Sequence, residues 1–532
     1  MSTIPPIIHQ TWHSPIYEGN RGSPESWQQI NPNWNYHLWL DADLRPLIEA
    51  HRPDLLDLYD QMTRIVQKAD LARYVMLWAF GGIYADMDTD CLSFLEPLTK
   101  TTKAVFCEEP PEHWLPAHQR GMERLWCNAI MASPPKHPFW DHLFKLIRHN
   151  RHSFDKDVLE STGPLILSAA IESFGDQSKL SRNSCHTFAP IKNDGAATTS
   201  RAYGEYSRYR FARHNWGGTW YSVPKKNLWW KLKAKYRLAR HKRRQGEVLS
   251  LNEAKAAVDM ALLHKPLSDK PAEEAHVTIL VPVRDAEPTL HGLFELLNRV
   301  THAHDKIRII FGEGDSRDNS RALLTKYAEE NSGKFRGVEV ITCETGFDLK
   351  RANRHRAEVQ LVRRANIAKV RNELIRHAML YDQDYCLWLD ADIIDFPPDL
   401  IAQLIKSQEK IVTADCVVEP DGKSFDMNAF IEIKGLRSVD KARFYKGGLY
   451  QPPADHWYRR HLHDVRYLDK VPLTGVGGTN LLVADQVHRA GLTFPEKPYE
   501  DLIETEAFGR LANDLAVIPY GLPNVTVLHD NA

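Results

Sequence analysis

A chain of 532 residues exceeds what one ordinary hydrophobic core supports, so two domains of roughly 220 to 260 residues are expected. Its 43% hydrophobic and 26% charged residues read as globular, and a net charge of −1 excludes a global attraction to nucleic acid or membrane. Seven cysteines, at 91, 107, 127, 185, 343, 386 and 416 with no CxxC pair, argue against a disulfide framework or a zinc site and for reduced thiols in a cytoplasmic protein. The opening MSTIPPIIHQTW has no basic stretch followed by a long apolar run, and no apolar run of about 18 residues follows. Neither a signal peptide nor a membrane span is expected.

In chain order, Ile7 and Ile8 form a short strand that opens into His9, Gln10, Thr11 and Trp12. Next, HLWLDADLRPLIEA carries Asp41 and Asp43 before an apolar-periodic run and reads as a helix start. In KADLARYVMLWAFGGIYADMDTD, Leu71, Tyr74, Val75 and Trp78 recur at helical spacing and predict a buried face, with Asp70 and Arg73 on a neighbouring face. Gly81 and Gly82 end that helix, and the strand after them delivers Asp86 and Asp88. Read by itself, the Asp70/Arg73 pair is equally a structural ion pair on a solvated helix.

Composition shifts between about 221 and 275, where Lys225 to Arg244 holds ten Lys or Arg. Leu228, Trp229, Leu232, Tyr236 and Ala239 recur among them at helical spacing, the profile of a basic amphipathic helix on an anionic membrane surface. The alternative is a helix docked between domains, and no motif accompanies the run to indicate nucleic acid. The expected division is 1–222 as one domain, 223–275 as a basic helical linker and 276–532 as a second domain.

The second domain begins with the strand VTILVPVRD, followed by IIFGEGDSRDNS, whose Asp315 lies past a strand end where α/β sheets bind ligands. The helix NIAKVRNELIRHAML then precedes YCLWLDADI, which repeats the earlier pattern with Asp390 and Asp392. FDMNAF with Asp426 and Asn428, TGVGGTNLL, IETEAF with Glu504 and a terminal VTVLH with His529 complete the series. Asp426 and Glu504 read equally as turn or helix caps, and Gly475, Gly477 and Gly478 as close packing rather than a phosphate loop.

An apolar strand that ends in Asp-x-Asp aims two carboxylates one way, because residues i and i+2 share a face. A nucleotide sugar's diphosphate can sit against them only with a hard cation between, and Mg²⁺ or Mn²⁺ then assists departure of the diphosphate. The pattern is weak alone, but here it occurs twice at strand ends.

Residues 4–220 resemble glycosyltransferase family 32 in IPPIIHQTW, the Asp70 to Asp88 run, NAIMASPPKHPFW, STGP and HNWGGTW, with Thr219 where the family usually has Ser. That resemblance implies His9, Gln10 and Trp12 near the nucleoside, Asp70 and Arg73 on the donor sugar, and Asp86 and Asp88 at the metal and diphosphate. It also implies that His214 completes the metal site and Trp220 closes over the donor. Residues 276–530 resemble glycosyltransferase family 62 through the ordered motifs above. This implies Asp390, Asp392 and His529 as metal ligands, Asp315 at the nucleotide, and Asp426, Asn428 and Glu504 near the sugars. The family tends to have His where Asp501 stands, which bears on acceptor contacts.

The expected fold is α/β, two GT-A-like, Rossmann-like domains, each a mixed central sheet with flanking helices. The expected function is a bifunctional, retaining, metal-dependent glycosyltransferase with one Mn²⁺ or Mg²⁺ per domain. GDP-mannose is the expected donor for at least the second domain, with a UDP-sugar the other candidate for the first, and a surface polysaccharide or lipid-linked glycan is the acceptor. The expected location is cytoplasmic, with peripheral contact at the inner membrane face through 225–244 and no nucleic-acid partner. Rival readings are one catalytic domain beside a glycan-binding scaffold, and a nucleotide-sugar hydrolase.

Overall fold

The computed structural model describes residues 2–16, 23–183, 185, 211–215, 228–244, 247–346, 356–432, 441–453 and 459–530. The chain divides into two compact units, one of Met1–Pro224 with Val465–Tyr467, the other of Lys225–Asp464 with Leu468–Ala532. The segment the sequence marks as a linker therefore groups with the second unit, where it contributes the helices Leu228–Arg244, Leu251–Ala256 and Met260–His264.

The first unit contains β1 (Ile7–Trp12), β2 (Asn35–Leu40), β3 (Gly82–Ala85), β4 (Thr89–Cys91), β5 (Ala104–Cys107), β6 (Ile130–Ser133), β7 (Leu180–Asn183) and β8 (Ala212–His214). Six of these make a mixed sheet in the order β2-β1-β3-β6-β5-β7, parallel from β2 to β3 and antiparallel where β6 enters. β4 and β8 form a separate antiparallel ribbon. The helix Ile65–Ala79 buries Leu71, Tyr74 and Val75 completely, while Trp78, the fourth residue of the predicted face, is half-buried. The third acidic pair does start a helix, Asp41–His51, in which Asp43 Oδ2 accepts the Leu40 N–H at 2.8 Å. It satisfies an amide that the helix leaves open.

The second unit contains β9 (Val277–Val283), β10 (Ile307–Glu313), β11 (Gly337–Thr342), β12 (Tyr385–Leu389), β13 (Ile393–Asp395), β14 (Ile411–Val417), β15 (Phe430–Glu432), β16 (Tyr445–Lys446), β17 (Leu449–Tyr450), β18 (Arg459–His461), β19 (Val471–Pro472), β20 (Asn480–Ala484) and β21 (Tyr520–His529). Its main sheet runs β11-β10-β9-β12-β20-β14-β21-β13, with β19 on β21. The first four strands are parallel, and β20 is antiparallel to both β12 and β14. All five residues of β12 are buried, as expected of a strand covered on both faces. Trp388 at its centre is fully enclosed, so truncating it to Ala would cost about 3–5 kcal/mol.

Each unit is thus α/β with a mixed central sheet and flanking helices, the GT-A-like architecture that the sequence predicts. Among the described residues no helix is long and apolar enough to cross a membrane.

Candidate functional site

In the first unit the chain leaves the helix Ile65–Ala79 through Gly81 and Gly82, whose φ values are +68° and +94°. A Cβ on Gly82 would lie 2.5 Å from the Ile7 carbonyl oxygen, so glycine is what lets β3 lie against β1. β3 then presents Asp86, whose amide donates to Ala129 O at 2.8 Å. Its carboxylate accepts from Tyr84 Oη at 2.8 Å and pairs with Arg73 Nη1 at 3.2 Å. Arg73 Nη2 reaches Asp70 Oδ1 at 3.1 Å, and Asp70 also accepts from Thr162 Oγ1 and Asn128 Nδ2. Arg73 therefore lies between two carboxylates, with its guanidinium 4.6 Å from the centre of the Tyr84 ring.

Burial pushes the Asp70 carboxyl up to about 6 against the pull of Arg73, and burial raises Asp86 likewise. Only 2% of Asp70 and 5% of Arg73 is exposed, so this pair is interior rather than on a solvated face.

Asp88 meets His214 through strand register. Thr89 of β4 pairs with His214 of β8, and the Asn215 amide donates to Asp88 O at 2.9 Å. The His214 ring then lies with Nε2 3.2 Å from Asp88 Oδ1. Burial opposes a charge on this imidazole, but Asp88 and Cys127 together more than compensate and hold it well above the usual histidine range. Asp86, Asp88 and His214 each offer one ligand atom within 4.8 Å of the other two, and among the described residues no other such trio forms.

The second unit repeats the arrangement. Arg371, on the helix Ala357–Ala378, places Nη2 3.3 Å from Asp390 Oδ1. Ile393 of β13 pairs with His529 of β21, and the Asp530 amide donates to Asp392 O at 2.9 Å. His529 Nε2 lies 3.0 Å from Asp392 Oδ1, and its ring stacks on Phe425 at 4.0 Å. Burial raises the Asp390 carboxyl, with Arg371 opposing and Asp392 and Asp426 adding to the shift. His529 is raised by Asp392 in spite of burial. The Asp392 side chain is 50% exposed against 20% for Asp88, so the second acidic pair is the more open.

Around this second centre, Asp426 Oδ2 accepts from Gly478 N and Thr479 Oγ1, at 3.1 and 2.9 Å, and Oδ1 accepts from Asn428 N at 3.2 Å. A Cβ on Gly477 would lie 1.7 Å from Asp426 Oδ2, and one on Gly478 2.2 Å from Arg371 Nη2. These glycines permit close packing around the acids, as the sequence indicates. Glu504 opens the helix Glu504–Asp514, and its Oε1 pairs with Arg364 Nη1 at 3.2 Å. Asp315, at a φ of +60° beyond β10, accepts from Thr345 N and Oγ1 and so clamps the loop after β11.

The remaining candidates of the first unit sit as follows. His9 is 2% exposed, with Nε2 donating to Gly81 O at 2.9 Å and Nδ1 accepting from Trp39 Nε1 at 3.2 Å. Gln10 is fully buried, donating to Asp86 O and accepting from Tyr36 Oη. Gln10 thus supports the acidic loop and His9 the glycine turn before it. Trp12 is half-buried against His13, and Trp220 lies outside the described residues. Sequence reasoning passed over Arg371 and Arg364. The available signal was the helix before an acidic strand, where Arg73 holds the matching place in the first unit.

Residues 18–105 match the family described as "Glycosyltransferase sugar-binding region containing DXD motif", and residues 256–498 match the Anp1 family. The chain is 29% identical over 293 residues to the mannan polymerase complex subunit MNN9 of Candida albicans, covering 51% of this chain and 79% of that protein. It is 27% identical over 275 residues to the mannan polymerase II complex ANP1 subunit of Saccharomyces cerevisiae, of which it covers 54%. It is 33% identical over 174 residues to inositol phosphoceramide mannosyltransferase 3 of Schizosaccharomyces pombe, covering 31% of this chain and 44% of that one. Two of these three relatives are therefore spanned over only about half their length. A solved structure, the mannosyltransferase PcManGT from Pyrobaculum calidifontis in complex with GDP-Man and Mn²⁺, is 14% identical at a TM-score of 0.29, with 56% of this chain and 68% of that one covered. That likeness is too slight to bear on the site. The two family matches fall in the two halves of the chain where the motifs announce the two resemblances.

Proposed function

We propose that this chain is a glycosyltransferase with two active sites, each using a divalent cation to carry a sugar from a nucleotide donor to a growing glycan or glycolipid. One observation carries the reading. In both units an Arg on the preceding helix holds the first acid, the residue after the second acid pairs in register with a His, and that His meets the second acid. Strand pairing that far apart in sequence does not recur by accident of composition.

The donor set of hard carboxylate oxygens and imidazole nitrogen suits Mn²⁺ or Mg²⁺, and the 4.8 Å gathering of Asp86, Asp88 and His214 leaves a ligand atom from each within one ion's reach. When bound, such a cation supplies positive charge against the donor diphosphate and assists its departure. The chain's own residues do the rest. Arg73 and Arg371 neutralise and orient the first acid, the His fixes the second, and Asp70 and Asp426 brace the surrounding loops.

The names of the relatives favour mannose, with GDP-mannose as donor for at least the second unit and a UDP-sugar as the other candidate for the first. The family resemblances favour retention, by a front-face transfer in which the departing phosphate takes the acceptor proton; Asp70, Asp86, Asp390 and Glu504 are each already engaged by an arginine. Mass spectrometry that trapped a sugar covalently on one of these carboxylates would overturn that step. Seven free, buried cysteines favour a reducing compartment such as the cytoplasm, which fractionation of the native host would test.

The test of two sites uses Asp88→Asn and Asp392→Asn, each assayed with Mn²⁺ against a panel of nucleotide sugars. Loss of a different transfer in each variant supports the proposal. A second reading, with the second unit as a glycan-binding scaffold, is favoured by the ligand gathering, which among the described residues occurs in the first unit alone. It wins if Asp392→Asn leaves every transfer intact.

A further inference from the structure

We propose that the helix Leu228–Arg244 is the surface by which the second unit adsorbs to an anionic lipid bilayer. The inference is independent of the sugar-transfer reading. Residues 225–244 contain ten Lys or Arg and no Asp or Glu, a local charge that the chain's overall balance of −1 conceals. Charge alone would make this only a solvated face. The way the helix is docked adds the decisive observation.

His241 fastens the helix to its unit. Its ring is 6% exposed and lies flat on Tyr445, centroids 3.8 Å apart at 8°, with Nε2 3.3 Å from Asp501 Oδ2. Leu238, one turn before His241 on the same side, is half-buried.

At about 100° per residue, Leu232 lies about 180° and Tyr236 about 140° around the helix from His241. Both point away from the unit, 58% and 69% exposed. Lys233, Lys235 and Arg240 flank them and are exposed too. A surface helix ordinarily turns its apolar stripe into its own domain and its charges outward. Here His241 and Leu238 face in, while Leu232 and Tyr236 face out between cations.

That is the arrangement of a helix lying in a membrane interface, with apolar side chains entering the acyl boundary and flanking Lys and Arg meeting anionic headgroups. A nucleic acid would satisfy the cations but gain little from Leu232. A lipid surface uses both features.

The test is co-sedimentation of the full chain with vesicles of phosphatidylcholine alone or mixed with phosphatidylserine, beside the double variant Leu232→Asp, Tyr236→Asp. Both positions are exposed, so the variant should keep the wild-type melting temperature. The expected result is binding to the mixed vesicles, weakened by salt and absent on phosphatidylcholine, with partitioning reduced roughly tenfold or more in the variant. Three results would overturn the proposal: no binding to mixed vesicles, unchanged binding in a folded variant, or binding to duplex DNA in place of vesicles.

Discussion

Arg371 meets Asp390 at 3.3 Å from a helix that ends before the acidic strand begins, as Arg73 meets Asp86 at 3.2 Å in the other unit. In both cases the guanidinium is nearly inaccessible to water, so the first acid of each pair is compensated by protein. The second acid of each pair meets a histidine. Two units with different sheets have reached one electrostatic solution.

Replacing either arginine by methionine keeps much of the volume and removes the charge. Breaking a buried pair from one side leaves a carboxylate uncompensated, which costs about 3–5 kcal/mol. Arg73→Met should destabilise the first unit and Arg371→Met the second, read as separate shifts in chemical denaturation. Each should also abolish the transfer assigned to its own unit.

The glycines beside Asp426 make a sharper case. Gly477→Ala puts a methyl 1.7 Å from Asp426 Oδ2, closer than any contact can be, so the carboxylate must leave its place over Gly478 and Thr479. The expected outcome is loss of the second unit's transfer with the first retained, measured with the two donors separately. Gly82→Ala is the counterpart, since φ +94° and a backbone oxygen at 2.5 Å both oppose it. It should lower the first unit's stability by more than about 1 kcal/mol.

Metal binding can be separated from turnover. Calorimetric titration with Mn²⁺ should show binding that His214→Ala or Asp88→Asn weakens by at least about tenfold. Asp392→Asn should leave that binding unchanged. A second event, lost in Asp392→Asn alone, is expected if each unit holds its own ion.

Two neutral histidines predict acid sensitivity. His9 and His488 are both held down at about 4 by burial, each donating one ring N–H to a carbonyl and accepting from a Trp indole with the other nitrogen. The unfolded chain takes these protons first, at an ordinary value of 6.5, so stability falls as pH drops from 6.5 towards 4 and is unaffected above that window. Each contributes about 3 kcal/mol to the fall. Asp70, raised to about 6, acts in the opposite sense and favours the fold as pH drops. The clean measurement is therefore a difference. Between about pH 7 and about pH 5, the loss of denaturation midpoint should be smaller in His488→Asn than in wild type.

Much of the site could be read from local pattern. Gly81 and Gly82 announce the turn into β3, Tyr385 to Leu389 announce a strand buried on both faces, and the acids that follow must then emerge at a sheet edge. Asp41 and Asp43 look the same in sequence, but Leu44 and Pro46 after them mark a helix start, and a helix is what forms. His9 and Gln10 were less legible. A strand's alternation separates its two faces without telling which meets ligand, and here both side chains turn into the protein.

The sequence by itself determined the two strand-end acid pairs, the helices before them and the basic stretch at 225–244, because each depends on residues within a few turns of one another. Only the tertiary structure decided that His214 lies across from Thr89 and His529 across from Ile393, that Arg371 matches Arg73, and that the basic helix docks by His241 with Leu232 turned outward. These partners are distant along the chain. What joins them is strand register and helix packing, which depend on burying whole faces and leave no local trace in the order of residues.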